Sequence, residues 1–302
     1  MTDALLQVAA LIAFGYGLKH YRFADDGFWR GLERLAYWVF LPALFCQVLI
    51  QATFSGAVVL QLANALVLAI LILTVMLLFT KTILRIDGPA FTSVFQGSVR
   101  FNSYVALATI PALYGETGIV FVTLLIATGV PLVNVLCVLM LSRYGNMGKR
   151  SPMAIVQAVI TNPLIMACVI GLLVNRLAIP VSSVVLDMVG ILARAALPCG
   201  LLAVGAALVP GALSGHVRGV GVSVVARFVL LPLISVGTGI LLQLPQEALG
   251  ILILFQIQPT STASYVLARQ LGGDASLMAT IITIQTLFAF GVIPITQWLV
   301  AM

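Results

Sequence analysis

Charged residues are scarce in this chain. Of its 302 residues only 8% are Asp, Glu, Lys or Arg, whereas 62% are hydrophobic, and the mean hydropathy is +1.17. So small a polar fraction leaves too little polar surface to cover a water-soluble globule. The composition therefore indicates a polytopic membrane protein.

Residues that perform covalent chemistry or bind metals are also few. The 4 cysteines fall inside apolar stretches, with no spacing typical of a disulfide framework or a metal site. The 2 histidines lie in loops, and the sequence has no HExxH motif, Walker-type phosphate loop or paired-carboxylate motif. We therefore expect neither enzymatic activity nor a metal or other cofactor.

Long apolar stretches make up most of the chain, and most are long enough to cross a hydrocarbon core of about 30 Å. They predict ten membrane helices, five on each side of a basic linker. The predicted spans are 4–18, 28–52, 55–80, 89–114, 117–141, 153–174, 181–209, 220–242, 248–267 and 275–301.

The polar linker divides the chain near its midpoint. A first five-helix repeat is predicted at residues 1–143, the linker at 144–152 and a second five-helix repeat at 153–302. Because each half has an odd number of spans, two halves with the same fold must be inverted relative to each other. Inverted repeats of this kind are a common plan of secondary transporters.

Basic residues are distributed unevenly between the predicted loops. Of the 15 Lys and Arg residues, twelve fall on one side, Arg176 falls on the other, and Arg100 and Arg194 lie within spans. The twelve are Lys19, Arg22, Arg30, Arg34, Lys81, Arg85, Arg143, Lys149, Arg150, Arg218, Arg227 and Arg269, of which Arg227 is expected a turn or two inside its helix. Positively charged loops stay in the cytoplasm, so both termini are predicted to be non-cytoplasmic. The net charge of +6 is spread over these loops, which favours contact with lipid headgroups and not with nucleic acid.

The fourth predicted span of each half combines polar residues with helix breakers. The first contains FQGSVRFNSYVALATIP at residues 95–111, and the second contains ILFQIQPTSTASY at residues 253–265. Proline leaves backbone carbonyls unpaired, and an intramembrane arginine needs a protein interior or a wet cavity. We predict two discontinuous helices that cross near the membrane midplane, where the N-terminal ends of their second halves favour a carboxylate. The predicted substrate-binding residues are Arg100, Asn102, Ser103, Tyr104, Gln256, Gln258, Pro259, Thr260 and Ser261.

Each of these residues also has a purely structural interpretation. Asn102 could hydrogen-bond a neighbouring helix, as polar side chains do in membranes. Arg100 could pair with a carbonyl or with a distant carboxylate. Gln258, Thr260 and Ser261 flank a proline, where local capping is needed in any case.

The order and spacing of several segments resemble the auxin efflux carrier family, also called PIN-like carriers, and in particular its bacterial members that carry malonate or other small acids. The resemblance covers essentially the whole chain. It rests on FLPALF at 40–45, RFNSYVALA at 100–108, TNPLIMACVIGLLVN at 161–175, ALPCGLLAVGAAL at 196–208 and VLARQLGGD at 266–274.

This resemblance implies an NhaA-like fold of ten helices with crossed fourth and ninth helices. Helices one, two, six and seven would form a scaffold that often dimerises, and the other six would move as a transport unit in an elevator-like cycle. Many members have Asn-Thr-Gly with a proline several residues later, whereas this chain has Asn102-Ser103-Tyr104 and then Pro111. The crossing point in the fourth helix is therefore predicted either at Asn102 or at 109–111. The identity of the substrate cannot be inferred from other family members.

The sequence thus predicts a secondary or potential-driven transporter of small carboxylates in the bacterial inner membrane. The second crossing segment contains no carboxylate, which favours proton coupling or a potential-driven uniport over sodium coupling. Two alternatives stay open: a sodium-coupled bile-acid-type symporter of the same fold, and a membrane sensor that binds its ligand without transporting it.

Overall fold

The computed structural model describes residues 2–52, 56–146, 157, 160–208 and 217–300, and these residues form helices and turns without any strand. The first seven helices are α1 Thr2–His20, α2 Asp26–Leu35, α3 Leu41–Gln51, α4 Gly56–Leu84, α5 Gly88–Val99, α6 Ser103–Tyr144 and α7 Pro163–Arg176. The remaining helices are α8 Ser183–Ala206, α9 Val217–Val225, α10 Leu231–Leu241, α11 Gln246–Gln256, α12 Ala263–Leu271 and α13 Ala275–Val300.

Within the described residues, six helical segments are long and apolar enough to cross a membrane. They are Asp26–Gln51, Ala57–Leu84, Gly88–Tyr144, Ser183–Ala206, Val217–Leu241 and Ala275–Leu299. Gly88–Tyr144 has 57 residues, more than twice the length of about 20 residues that one crossing requires. Pro163–Arg176 and Gln246–Gln256 are apolar but shorter. Most of the predicted linker, at 147–152, lies outside the described residues, as do parts of the predicted spans at 55, 153–156, 158–159, 209 and 301.

Two short π-helical segments connect consecutive helices. Ala36–Phe40 joins α2 to α3, and Ala226–Leu230 joins α9 to α10. A Leu-Pro pair follows each segment. A proline ring clashes with the carbonyl four residues earlier in a regular α-helix, and the wider π turn relieves this clash.

Side-chain caps and prolines mark several helix beginnings. Asp87 accepts a hydrogen bond from the Ala90 N–H (3.3 Å) at the start of α5, and Pro89 occupies the first turn. Asn162 accepts from the N–H groups at the start of α7, where Pro163 is the first helical residue. Such a cap satisfies N–H groups that have no partner within the helix, and proline gives up no hydrogen bond at that position.

The helix α6 contains a kink at the point where the sequence predicts a boundary between two spans. Gly115 has φ of +56°, a left-handed conformation that glycine adopts without steric cost. The predicted boundary lies between 114 and 117. Pro111, in contrast, lies within the helical part of α6.

The helices pack in two groups that α6 connects. In one group, α1 packs along α8, and α3 packs against α7 and α8. In the other, α4 packs against α10, α5 packs against α9 and α13, and α11 packs against α6 and α10. The helix α6 also contacts α1, α3, α7 and α8. Apolar side chains from both groups form one buried core.

Many large apolar side chains lie on the outer surface of the long helices. Examples are Leu60, Val75, Phe79, Leu173, Ile191, Leu233 and Ile240. Exposed apolar side chains suit contact with lipid chains, because their exposure to water is unfavourable.

Candidate functional site

The helix of the fourth predicted span is interrupted at Arg100–Asn102. The helix α5 ends at Val99, Arg100 and Asn102 have extended backbone conformations, and α6 begins at Ser103. The Asn102 side chain caps α6, because its Oδ1 accepts from the N–H groups of Tyr104 (3.1 Å) and Val105 (3.3 Å). Of the two positions that the sequence left open, the interruption is therefore at Asn102 and not at 109–111.

A second interruption lies between α11 and α12, at Ile257–Thr262. The two interruptions touch, because the Asn102 N–H donates to the Pro259 carbonyl oxygen at 2.8 Å. We call residues 100–102 and 257–262 together the junction. Its contact joins positions more than 150 residues apart in the sequence.

The Gln258 amide also connects the two interrupted helices. Its Nε2 donates to the Leu254 carbonyl oxygen (2.8 Å) and to Thr109 Oγ1 (3.3 Å). Its Oε1 is buried and has no hydrogen-bond partner among the described residues. Gln258 therefore satisfies its own helix end and reaches α6, while one acceptor is left for a ligand or a water molecule.

Gln285, on α13, links the second interruption to α5 and α9 and was not predicted as a site residue. Its Oε1 accepts from the Thr260 N–H (3.0 Å), and its Nε2 donates to the Gly97 carbonyl oxygen (2.9 Å) and to Ser223 Oγ (3.0 Å). A Cβ atom on Gly97 would lie 2.4 Å from Ser223 Oγ, so glycine is required for this close approach of α5 and α9. An isolated glutamine within an apolar span is the signal that could have identified Gln285.

Arg227 is completely buried and lies against both interruptions. Its Nε donates to the Gln258 carbonyl oxygen at 2.6 Å, and its Nη1 lies 3.4 Å from the Ser98 carbonyl oxygen. Arg227 was counted with the twelve basic residues of one side but was expected a turn or two inside its helix, and it lies in the π-helical segment Ala226–Leu230. Because it was counted with the loop residues, Arg227 was not predicted as a site residue. An arginine inside a membrane span is nevertheless a sign of a functional site.

Arg100 is half-buried and is not paired with an acid. Its Nη1 donates to Asn134 Oδ1 at 2.8 Å, and its Nε is buried without a partner in the described part of the chain. Among the described residues, the one salt bridge joins Lys19 to Asp26, far from Arg100 in the sequence. Arg100 is therefore not paired with a carboxylate, and the side-chain amide of Asn134 accepts its hydrogen bond instead.

The remaining predicted residues of the first interruption differ in their surroundings. Ser103 is half-buried at the start of α6, while Tyr104 is buried with its hydroxyl group unpaired within the described region. The Tyr104 ring packs on Gly200 of α8, where an added Cβ would lie only 2.1 Å from the ring. The tyrosine thus fits because α8 has a glycine opposite it.

The second interruption is capped locally and contacts α2. Ser261 Oγ accepts from the Ala263 N–H (3.3 Å) near the start of α12, as the capping interpretation predicts. Thr260 Oγ1 donates to the Gln96 carbonyl oxygen (3.4 Å). Thr262 Oγ1 donates to Glu33 Oε1 of α2 at 2.9 Å, and Glu33 was not predicted.

Two buried glutamines lie in the helices that precede the two interruptions, Gln96 four residues before the first and Gln256 directly before the second. Gln96 and Gln256 each follow a phenylalanine, and both are completely buried. Neither amide has a partner for its nitrogen or its oxygen among the described residues. Buried amides are almost always hydrogen-bonded, so these groups are candidates for contact with a ligand or with water.

A narrow cleft adjoins the junction between α1, α6 and α13. It is lined by Val8, Ile12, Val105, Thr109, Pro259, Thr286, Ala289, Phe290 and Ile293. It has room for about one water molecule. The space between α1, α6 and α13 beside the junction is therefore too small for a carboxylate in this arrangement of the helices.

These features describe a multi-pass membrane protein with two interrupted helices that meet in its interior. The sequence matches the membrane transport protein family over residues 1–297, and the chain belongs to this family, that of the auxin efflux or PIN-like carriers. Among curated proteins, none matches the chain significantly. The family resemblance stated from the sequence is thereby confirmed. Members of this family are transporters, so the chain is assigned to membrane transport.

Proposed function

We propose that this protein is a secondary or potential-driven transporter of small carboxylates that works by elevator-like alternating access. The observation that carries the proposal is the direct contact of two interrupted helices, through the Asn102 N–H and the Pro259 carbonyl oxygen at 2.8 Å. In transporters with broken helices, the substrate binds where unwound segments and half-helix ends meet.

The proposed architecture is an NhaA-like fold of ten membrane helices in two inverted repeats. The similar local sequences support this arrangement, since a Phe-Gln pair precedes each interruption and each interruption lies in the fourth predicted span of its half. The proposed scaffold comprises α1, α2–α3, α7 and α8, and the other helices form the transport unit. The two packing groups of the helices support this division, and the scaffold is also the proposed contact in a homodimer.

The proposed substrate class follows from the charge around the junction. Arg100 brings a positive charge without an acidic partner in the described structure, and its Nε has no hydrogen bond there. The N-terminal ends of α6 and α12 also start at the junction, and helix N-termini attract anions. A small carboxylate matches both features, and Asn102, Gln258 and the buried amides can hydrogen-bond its oxygens.

The proposal is tested by carboxylate flux. Purified protein is first screened by thermal unfolding against mono- and dicarboxylates, because a ligand that binds only the folded state raises its apparent stability. The stabilising compounds, radiolabelled, are then used for counterflow in reconstituted vesicles. We expect at least one of them to exchange across the membrane. Stabilisation without counterflow would instead identify a membrane sensor.

A topological prediction concerns the connection after α6. The Asn146 N–H donates to the Gly272 carbonyl oxygen (3.0 Å), and the Asp274 N–H donates to the Pro89 carbonyl oxygen (3.2 Å). Three connections thus lie on one side of the molecule, and each is flanked by basic residues. We propose that this side is cytoplasmic in a bacterial inner membrane and that both termini lie outside the cytoplasm.

A single cysteine placed at Asn146 in a cysteine-depleted variant tests this topology. We expect an impermeant thiol reagent to label it in inside-out vesicles but not in intact cells. A cysteine at Arg176, on the opposite predicted side, is the control and is expected to show the reverse pattern. Labelling of the Asn146 site from outside intact cells would overturn the proposed orientation.

A further inference from the structure

A buried positive charge lies against the junction. Arg227 is fully shielded from solvent, and a guanidinium group stays charged in proteins. A buried charge is costly unless it is paired or well hydrogen-bonded. The described residues place no carboxylate within ion-pair distance of Arg227. Backbone carbonyl groups must therefore compensate its charge.

The carbonyl groups around Arg227 come from both interrupted helices. Gln258 O, in the unwound segment, accepts from Nε at 2.6 Å. Ser98 O and Val99 O, at the C-terminal end of α5, lie 3.4 and 3.5 Å from Nη1. The C-terminal end of a helix carries partial negative charge, so all three oxygens favour a cation.

Neighbouring carbonyl groups at the same helix end also have protein donors. The Gly97 carbonyl oxygen accepts from Gln285 Nε2, and the Gln96 carbonyl oxygen accepts from Thr260 Oγ1. Unwound carbonyls and half-helix C-terminal ends are the groups that coordinate sodium in transporters with broken helices. In this chain, carbonyl oxygens of these two kinds accept hydrogen bonds from Arg227, Gln285 and Thr260.

We propose that the Arg227 guanidinium is a built-in cation at the junction, which takes the place of a coupling metal cation, so that the transporter works without sodium. This inference rests on the proposed transport function and specifies its coupling. It argues against the sodium-coupled symporter that the sequence left open. The Arg227 Nη2 atom has no partner in the described part of the chain, so the guanidinium keeps one donor group for water or for a substrate oxygen.

The first test uses the wild-type protein and needs no substrate. Thermal unfolding of the purified full-length protein is measured in sodium chloride and in choline chloride at equal ionic strength. A cation that binds only the folded state raises the melting temperature in a saturable manner. We expect equal melting temperatures in the two salts. A saturable stabilisation that is specific for sodium would overturn the proposal, whatever the outcome of the carboxylate flux assay.

The second test removes the built-in cation. Arg227→Ala leaves the carbonyl groups of Ser98, Val99 and Gln258 without their donor, so we expect a lower melting temperature in choline chloride. Added guanidinium at millimolar concentration, or sodium, should recover part of the loss. Arg194→Ala removes an exposed arginine of α8 and is the matched control, for which we expect no cation-specific change. Arg227→Ala protein that equals wild type and ignores guanidinium would contradict the inference.

Two further variants separate charge from packing. Arg227→Lys keeps the positive charge, whereas Arg227→Gln keeps a hydrogen-bond donor without the charge. We expect the lysine variant to be the more stable of the two, and equal stability would count against a cationic role. In vesicles, we expect carboxylate flux by wild type to be independent of sodium and that by Arg227→Ala to become sodium-dependent. A merely structural arginine would not produce this gain of sodium dependence.

Discussion

Asn102→Ala and Gln258→Ala should each lower carboxylate affinity or transport about tenfold or more, because a lost hydrogen bond to a charged ligand costs about 1.5–3 kcal/mol. Asn102 lies at the point where α6 begins, and its amide nitrogen can donate to a carboxylate while its oxygen caps the helix. Gln258 reaches Thr109 across the junction and has an acceptor without a partner among the described residues.

Capping and ligand binding by Asn102 can be distinguished experimentally. Removal of an N-cap destabilises a helix by about 0.5–2 kcal/mol, so Asn102→Ala alone could act through α6. Asn102→Ser keeps an oxygen that can cap α6 but lacks the amide N–H donors. We expect it to restore thermal stability relative to alanine while carboxylate affinity stays low. Recovery of both properties would assign Asn102 to capping alone.

The two substitutions should also be non-additive. The Asn102 N–H donates to the carbonyl oxygen of Pro259, the residue that follows Gln258, and groups that share one ligand are energetically coupled. The double variant Asn102→Ala/Gln258→Ala should therefore lose less than the sum of the single losses. Asn64→Ala, on an exposed face of α4, is the control and should have little effect. Normal transport by both single variants at normal abundance would mean that the site lies elsewhere.

The positions of the interrupted helices were predictable to different extents from the sequence. Pro259, followed by polar residues, marks the second interruption because proline cannot donate the backbone hydrogen bond that an α-helix needs. The first interruption has no proline. It forms at Arg100–Asn102 because Asn102 caps α6 and because the Pro259 carbonyl accepts its N–H, a long-range contact that local sequence does not reveal. Pro111 suggested an interruption at 109–111, but it lies within the helical part of α6.

The charge distribution within the junction was harder to predict than the interruptions. Arg227 lies ten residues after the first residue of α9. A count of basic residues does not distinguish an arginine in a loop from one that is buried near the start of a helix. Its partners, Ser98, Val99 and Gln258, are 31 or more residues away in the sequence. The pattern of apolar residues specifies which segments are helices, but it does not specify which helix ends meet.

The second prediction with a large effect concerns Arg100. Arg100→Gln should weaken carboxylate affinity at least about tenfold, because a unit charge about 4 Å from a carboxylate contributes up to about 4 kcal/mol at an effective dielectric constant of 20. The protein should still accumulate and unfold at nearly the wild-type temperature. Removal of one member of a buried ion pair destabilises by about 3–5 kcal/mol, but Arg100 has no acidic partner among the described residues.

The structure allows the charge of Arg100 to be removed with little change in its hydrogen bonding. Arg100 donates to Asn134 Oδ1 at 2.8 Å, and a glutamine amide is also a donor, although its side chain is shorter. Arg100→Lys keeps the charge and should retain more affinity than Arg100→Gln, while Arg194→Gln on the exposed face of α8 should behave like wild type. Affinity is measured by thermal shift with the carboxylate that stabilises the wild-type protein. An Arg100→Gln protein that fails to fold would assign Arg100 to structure, and a folded variant with unchanged affinity would show that the substrate does not contact this charge.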